Sequence, residues 1–479
     1  MAVHPLHQWY GMPFGLVTDL YELTMAHGYW KKGWYNRRAV FHLSFRKQPF
    51  AGDFSMACGL DLAVAFLQNW RFDPADIQYL GSLRDANGFS LLEEGFLNYL
   101  QRTKFSCNVD AIPEGNVVFP NEPLLRVEGP LIQAQLFETA LLNLVSFSTL
   151  VATKAARIVR AAKGDEVVEM GLRRAQGFNG GITATRSAYI GGCLGTSNVL
   201  AGRLFGIPLR GSHAHSWVQT FDDELSAFRS YAEQQPDNCI FLVDTYDSIQ
   251  GIRNAIQVGH ELKTRGHDLA GIRLDSGDLV VLAKEARKML DKAGFRKTVI
   301  MASNDLDEYS IYELKQNKAP IDVWGVGTRM VTAYDQPALG GVYKLSAIQN
   351  EKGEWEPSIK KSNQAIKTSI PGILQVKRLY KKGKPVGDAI VDELSPFEKL
   401  RIRDFKTNQP IDLNYSEEEP LLQPIFREGE YVYKAADLAG IRQFGMEQSQ
   451  LFEKVNAENY PVGLELCLAG KRTELLNER

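Results

Sequence analysis

The chain is poor in cysteine. Five residues (Cys58, Cys107, Cys193, Cys239 and Cys467) are scattered over 479 positions, with no CxxC pair. That pattern excludes a disulfide framework and fits a reducing compartment. It has little charge of either sign in excess: 55 Lys and Arg stand against 57 Asp and Glu, for a net charge of -2. General polyanion binding, nucleic acid included, is therefore not implied, although local basic sites can still grip phosphate. A long uninterrupted apolar run is also missing. The most apolar stretch, 131–159, contains Glu138, Asn143, Lys154 and Arg157, which describes a buried amphipathic helix and no membrane span. The first ten residues show no basic segment followed by an apolar one, so no secretory signal is expected there. A soluble, cytoplasmic protein is the expectation.

What is present is an ordinary globular composition, 44% hydrophobic and 23% charged. At about 150 residues per domain the length suggests about three domains, though a β/α barrel alone takes about 200 to 250. The first third mixes strand candidates (39–46, 117–119, 123–127) with helices (60–69, 91–101), an α+β pattern. A long helix is expected over 136–162. Strands then alternate with helices: strands at 166–170, 193–195, 207–210, 239–243, 269–274, 298–301 and 321–324, helices at 184–192, 198–205, 225–234, 248–264, 279–293 and 306–317. Six or seven consecutive units of this kind make a parallel sheet, closed as an irregular β/α barrel. The last third is less regular, with strand-like segments at 351–362 and 379–387, a mixed stretch at 394–414 and a helix at 447–458. The expected division is 1–135, 136–345 and 346–479.

The densest chemistry lies in Gly271-Ile272-Arg273-Leu274-Asp275-Ser276-Gly277-Asp278-Leu279. Charge at the end of a buried strand costs stability unless it is paired or used. Arginine beside carboxylates suits a site that holds an anion together with a sugar or a metal. The other strand candidates end alike: Arg173 and Arg174; Thr196, Ser197 and Asn198; Ser212, His213 and His215; Asp244 and Asp247; Ser303, Asn304 and Asp305; Gly325, Gly327 and Thr328. In a parallel barrel all of these meet on one face, where active sites are built. Plainer roles compete at each position. Thr196, Ser216, Asn304 and Asp305 suit helix N-caps, as does Asp19 or Thr18. Gly325-Val326-Gly327-Thr328 is either a tight turn or a phosphate cradle. One of the two adjacent arginines can pair with Glu169 while the other faces an anion.

Of eight histidines, only His213 and His215 fall within this group. An HxH at a barrel strand end would bind zinc, as in metal-dependent amidohydrolases, if further histidines stood at other strand ends. His260 lies in a helix and His267 in a turn. The other roles open to the pair are a satisfied core histidine and a nucleophile or base.

Several segments, in family order, resemble those of nicotinate phosphoribosyltransferases: Thr18–Thr24, Glu169–Gly177, Gly195–Gly202, Ala214–Ser216, Asp244–Asp247, Ile272–Leu279, Gly325–Thr328 and Gly341–Leu345. The resemblance implies a type II phosphoribosyltransferase fold, an irregular β/α barrel of parallel strands packed against an α+β domain built from both chain ends. It implies transfer of a phosphoribosyl group from phosphoribosyl pyrophosphate (PRPP) to nicotinate, the first step of NAD salvage from nicotinate, with Mg²⁺ as cofactor and ATP as co-substrate. A homodimer is implied whose active site spans both subunits, Tyr21 of one stacking on the pyridine ring held by the other. His215 would be phosphorylated by ATP, and Asp275 and Asp244 would stabilise charge at the sugar. Arg173, Ser197, Ser212, Arg273, Asn304, Gly327 and Thr328 would bind substrate, Arg273 the nicotinate and Thr328 the 5-phosphate. The family's Gly-Thr before the Ala-His-Ser motif is Gly211-Ser212 here, with the hydroxyl kept. Nicotinamide-using relatives carry aspartate near Ser197, and quinolinate-using ones need a more basic pocket and no phosphohistidine.

Overall fold

The computed structural model describes residues 11–362, 368–397, 399–455 and 460–478. The chain divides into two compact units, one made of Met1–Leu150 with Ala338–Arg479, the other of Val151–Pro337.

The first unit interleaves strands from both chain ends. Its seven-stranded sheet runs Trp355–Pro357, Gly341–Gln349, Arg38–Phe45, Leu125–Pro130, Asn108–Ala111, Gln423–Arg427, Glu430–Tyr431, with every pairing antiparallel. Arg38–Phe45 is buried along nearly its whole length because it has a strand on either side. A six-stranded sheet contains the hairpin Leu374–Lys381 and Lys384–Asp392. The sequence pattern over 379–387 is strand-like with turn residues, and it forms the end of one strand, the hairpin turn and the start of the next; at the turn Lys382 and Gly383 both have positive φ (51° and 71°). That is the type I′ pair that matches strand twist. The helix expected over 447–458 spans Leu438–Glu453; positions 456–458 lie outside the described residues. The pattern over 136–162 resolves into two helices, Leu131–Leu136 and Glu138–Ala162. By length and composition the second could cross a membrane, but 67% of its most apolar window is buried, as in a core helix.

A fully buried ion pair anchors the six-stranded sheet. Arg378 Nη2 donates to Asp388 Oδ2 at 2.7 Å and Nε to Oδ1 at 3.0 Å, and Tyr460 Oη donates to Oδ1 at 2.7 Å. Burial, then the Asp388 charge, push the neighbouring Glu122 carboxyl well above the usual range. Glu122 is thus biased toward its neutral form, and Arg378 pairs with Asp388.

The second unit holds the parallel strands β1 (Glu166–Glu169), β2 (Gly195–Thr196), β3 (Ile240–Leu242), β4 (Gly271–Leu274), β5 (Val299–Ala302) and β6 (Val323–Val326). Their spatial order is β2-β1-β6-β5-β4-β3. The first strand in sequence thus pairs with the last, Val323 to Val326 aligning with Glu166 to Glu169, while β2 and β3 are the two edges of the sheet among the described residues. The strand expected at 207–210 is reduced to a single parallel bridge, Thr196 to Leu209. Among the described residues no ladder joins that segment to β3, so the sheet is open at this point. The covering helices include α1 (Gly177–Ile190), α2 (Val199–Phe205), α3 (His215–Gln219), α4 (Glu224–Gln234), α5 (Ser248–Thr264), α6 (Leu279–Lys292), α7 (Glu308–Gln316) and α8 (Thr328–Val331). Their N-caps are Asn198, Asp223, Asp247, Asp278 and Asp307. Thr196, Ser216, Asn304 and Asp305 do not serve as caps: Thr196 lies in β2 and Ser216 inside α3.

Replacing Asp388 with Asn strands the Arg378 charge and should cost about 3–5 kcal/mol, seen as a lowered thermal midpoint. Glu122→Gln mimics the protonated carboxyl. A raised carboxyl pKa favours the fold fully below its ordinary value of 4.5 and less as pH climbs through the raised one. Glu122→Gln should therefore hold the midpoint at neutral pH and reduce the alkaline loss. Equal destabilisation by both variants would contradict this charge assignment.

Candidate active site

The carboxyl ends of these strands build a cleft of about 330 Å³, lined by Met170, Arg173, Arg174, Arg273, Asp275, Ser303, Asn304, Asp305, Gly325, Gly327 and Thr328. Six of the eleven residues given a site role by the family resemblance line it, Arg173, Arg273, Asp275, Asn304, Gly327 and Thr328, together with Arg174, Ser303, Asp305 and Gly325 from the strand-end pattern.

The loop after β1 is shaped from below. Glu169 is buried and accepts hydrogen bonds from the Gly171 N–H, from Thr185 Oγ1 (2.9 Å) and from Thr196 Oγ1 (2.5 Å). Burial pushes its carboxyl above the usual range. Its acceptors are taken by the loop and by two threonines, so the expected pairing with Arg173 or Arg174 does not form. Those two arginines share one 3₁₀ turn, Leu172–Arg174, and both are exposed and line the cleft. A Cβ on Gly171 would meet Val331 Cγ1 at 2.3 Å, so only glycine lets this turn pack against α8. At Gly325 the limit is softer: a Cβ there would come within 2.8 Å of Met301 Cε and 3.1 Å of Met170 Sδ, the ends of flexible side chains.

Across the cleft, Arg273 is the third cation. It is mostly buried, and Nη1 donates to Ser212 Oγ at 3.0 Å. Burial lowers its pKa while Asp275 and Asp244 raise it; an arginine remains a cation under these conditions. Asp244 Oδ2 accepts from the Asp275 N–H (2.9 Å) and from Ser276 Oγ (2.6 Å). Asp275 in turn accepts from Ser303 Oγ, a neighbour that the strand-end pattern included but assigned no role. The other Asp275 oxygen lies 3.8 Å from His215 Nε2. His215 opens α3 and is 40% exposed, with Nδ1 3.1 Å from Thr245 Oγ1. Two buried atoms here have no partner among the described residues, Arg273 Nε and Asp244 Oδ1. Buried polar atoms are normally hydrogen-bonded, so these two are open to a further partner. Asn304 and Asp305, just past β5, both have positive φ (110° and 49°), strain that persists where the surroundings enforce it. Asp247 is committed elsewhere, capping α5 through Gln250 N at 2.7 Å.

The two histidines part company. His213 is buried, and its Nε2 accepts from the Leu242 N–H at 3.3 Å. The ring thus reaches β3 where the strand ladder is missing. Its Nδ1, 3.4 Å from Ala214 O, then carries the proton. Burial pushes its pKa down to about 4. His213 is therefore the satisfied core histidine, and the HxH zinc reading loses one of its ligands. No group of three or more metal-ligating side chains occurs among the described residues. Five predicted site residues are not part of the cleft lining: Ser212, Asp244 and His215 touch the lining residues Arg273 and Asp275, whereas Ser197 and Tyr21 lie elsewhere. Ser197 is exposed just past β2, its N–H bonded to Glu169 O at 2.9 Å. Tyr21 belongs to the other unit, exposed on the helix Leu20–Lys31.

The His213 assignment is testable by ¹⁵N NMR across pH. The ring should remain the neutral Nδ1–H form down to about pH 4. A midpoint near the ordinary 6.5 would contradict the bridging role.

Comparison with known proteins accounts for nearly the whole chain. Residues 16–146, 166–384 and 374–469 match, in turn, the models of the nicotinate phosphoribosyltransferase N-terminal domain, family and C-terminal domain. The chain is 44% identical over 474 residues to the nicotinate phosphoribosyltransferase of Bacillus subtilis, covering 95% of this chain and 94% of that protein. It is 34% identical over 525 residues to human nicotinate phosphoribosyltransferase, covering 96% of each. Its structure superposes on a crystal structure of human nicotinic acid phosphoribosyltransferase with a TM-score of 0.84 and 32% identity, covering 96% of this chain and 99% of that one. With a barrel of this topology and relatives of this likeness along its length, the chain belongs to the nicotinate phosphoribosyltransferase family.

Proposed function

We propose that the barrel cleft transfers the phosphoribosyl group of PRPP to nicotinate, releasing nicotinate mononucleotide and pyrophosphate, and that ATP drives the step through a phosphohistidine at His215. The observation that carries this reading is Asp275, held between Ser303 and His215 and facing three arginines in one cleft. Nicotinate is a poor nucleophile, so pyrophosphate must depart through a transition state with positive charge at the sugar carbon. The Asp275 carboxylate, fixed by Ser303 and by the Asp244-bound loop, is placed to stabilise that charge without reorganising. Arg173 and Arg273 provide positive charge for the pyrophosphate and the pyridine carboxylate, with Ser212 orienting Arg273. Asn304, Gly327 and Thr328, on neighbouring strand ends, suit the 5-phosphate.

Mg²⁺ bound with PRPP would screen the leaving pyrophosphate. Asp275 and the unpartnered Oδ1 of Asp244 fit such an ion, which takes one or two carboxylates and completes its shell with phosphates and water. At His215, Thr245 beside Nδ1 supports the tautomer that leaves a lone pair on Nε2. That lone pair forms the N–P bond as the γ-phosphoryl parts from ADP. The new anion next to Asp275 reorganises the cleft and couples ATP hydrolysis to product formation.

A homodimer completes the site in this reading, and exposed apolar side chains support it. Leu20, Tyr21 and Met25 stand exposed on one helix, and Phe178, Val199 and Leu200 on the barrel unit. Burial, Glu138 and Glu22 push the Tyr21 phenol up to about 12, so it is the neutral ring that would stack on nicotinate. A cytoplasmic location fits the five free thiols.

The test is incubation of purified protein with PRPP and each of nicotinate, nicotinamide and quinolinate, with and without γ-labelled ATP. Nicotinate should yield mononucleotide, faster with ATP, and acid-labile label should attach to the wild type but not to His215→Ala. Turnover of nicotinamide or quinolinate in preference would overturn the substrate assignment, and label on the variant would overturn the histidine.

A further inference from the structure

One wall of the barrel cleft is made by the loop after β5 and the start of α8 after β6, and a side chain outside the cleft lining spans the two. Asn304 and Asp305 line the cleft in left-handed backbone, with φ of 110° and 49°. Two adjacent residues with side chains keep such conformations only where the surroundings enforce them. The charged group that meets Asp305 is Arg329, whose Nη2 lies 3.6 Å from Oδ2. Arg329 is fixed in turn from its own side. Its guanidinium lies over the Tyr334 ring, 3.9 Å from the centroid, and Nη1 is 4.0 Å from Asp335 Oδ1. A cation over an aromatic face is held there by the ring's quadrupole. The Tyr334 N–H donates to Arg329 O at 3.2 Å, across Ala333, which is left-handed at φ 46°. Asp335 also accepts from the buried Lys154 Nζ. Arg329 is thus the anchored partner, with its side chain 25% exposed, and Asp305 the loose one at 60%. An ion pair this exposed adds little to stability. Its effect is geometric: Arg329 follows Thr328 directly and Asp305 follows Asn304, so the pair sets how the two halves of the wall face each other.

We propose that Arg329 is a positioning residue for PRPP. Through Asp305 it holds Asn304 in register with Gly327 and Thr328, so that the groups facing the 5-phosphate are arranged before the substrate arrives. The inference rests on the reading of this wall as the 5-phosphate site, and adds to it a residue that touches no substrate. Groups ordered in advance bind without an ordering cost. Without the tie, the loop after β5 is free to leave its left-handed conformation, and PRPP must restore it on binding. Nicotinate is assigned to Arg273, on a different strand end, and does not bear that cost.

The experiment is steady-state kinetics of nicotinate mononucleotide formation by the full-length protein, with PRPP and nicotinate varied in turn. Arg329→Gln should raise KM for PRPP at least fivefold and leave KM for nicotinate within twofold of wild type. Asp305→Asn should do the same, and the double variant should be no worse than the worse single one, as for two residues acting as a pair. Arg329→Lys keeps a charge over Tyr334 and should bring KM for PRPP back to within twofold of wild type. Should Arg329→Gln lower the thermal midpoint, Asp305→Asn, at a mostly exposed residue, carries the comparison. Wild-type kinetics in Asp305→Asn, equal rises in both KM values, single effects that multiply, or a lysine variant as impaired as the glutamine one would each overturn the proposal while leaving the assigned reaction standing. A wild type that forms no mononucleotide would overturn that reaction and this inference with it.

Discussion

One carboxylate ties the active-site loops together. Asp244, just past β3, places Oδ2 against the Asp275 N–H and the Ser276 hydroxyl just past β4. The side chain thus extends the link between two strands whose backbone ladder ends at Leu242 and Arg273. Asp275 cannot then follow its loop freely. With Ser303 holding one of its oxygens from the end of β5, its other oxygen is left facing His215. A charge-assisted hydrogen bond to a backbone N–H is stronger than a neutral one, and in a half-buried cleft it fixes orientation as much as it adds stability.

The rest of the site depends on that tie through electrostatics. Arg273 is buried beside Asp244 and Asp275, whose charges offset its desolvation, while Arg173 opposes it. If the two aspartates were shifted outward, the guanidinium would be a buried cation without compensation, which is costly. The atoms left without partners, Arg273 Nε and Asp244 Oδ1, lie within this cluster. The framework is satisfied where it holds shape and open at these two atoms. Beneath it, Glu169 plays a comparable structural role for the arginine turn, with all its described partners drawn from β1, α1 and β2 and their loops.

Much of this was legible from patterning. Alternation of short apolar runs with helical periods located the barrel strands to within two or three residues, and the helix over Ser248–Thr264 at both ends. Polar residues clustered at strand ends pointed to the face on which the cleft lies. What periodicity missed was carried by single side chains and by glycine. The 207–210 segment reads as a strand, yet contributes one bridge, because the link onward to β3 is the His213 ring. Helix α1 begins at Gly177, earlier than its apolar period suggests, because three glycines in its first turns read as breakers. Gly181 lets the helix sit close to Leu172, whose Cδ1 a Cβ there would meet at 2.6 Å. Adjacent arginines suggest divergence on an extended segment, but a 3₁₀ turn sets both on the cleft wall. The hydroxyls and carboxylates at the strand ends proved divided: Asp247 and Asp278 cap helices, whereas Thr196 and Ser303 bind carboxylates. Residue type alone does not separate these fates, because the deciding partner lies on another strand.

The claim that Asp244 works by holding Asp275 in place is tested most directly by a double-mutant cycle on the rate of nicotinate mononucleotide formation. Asp244→Asn, Asp275→Asn and the double variant are compared with the wild type. If the two residues act as one unit, the double variant should lose no more activity than the worse single variant. Losses that multiply, as for independent sites, would contradict the account.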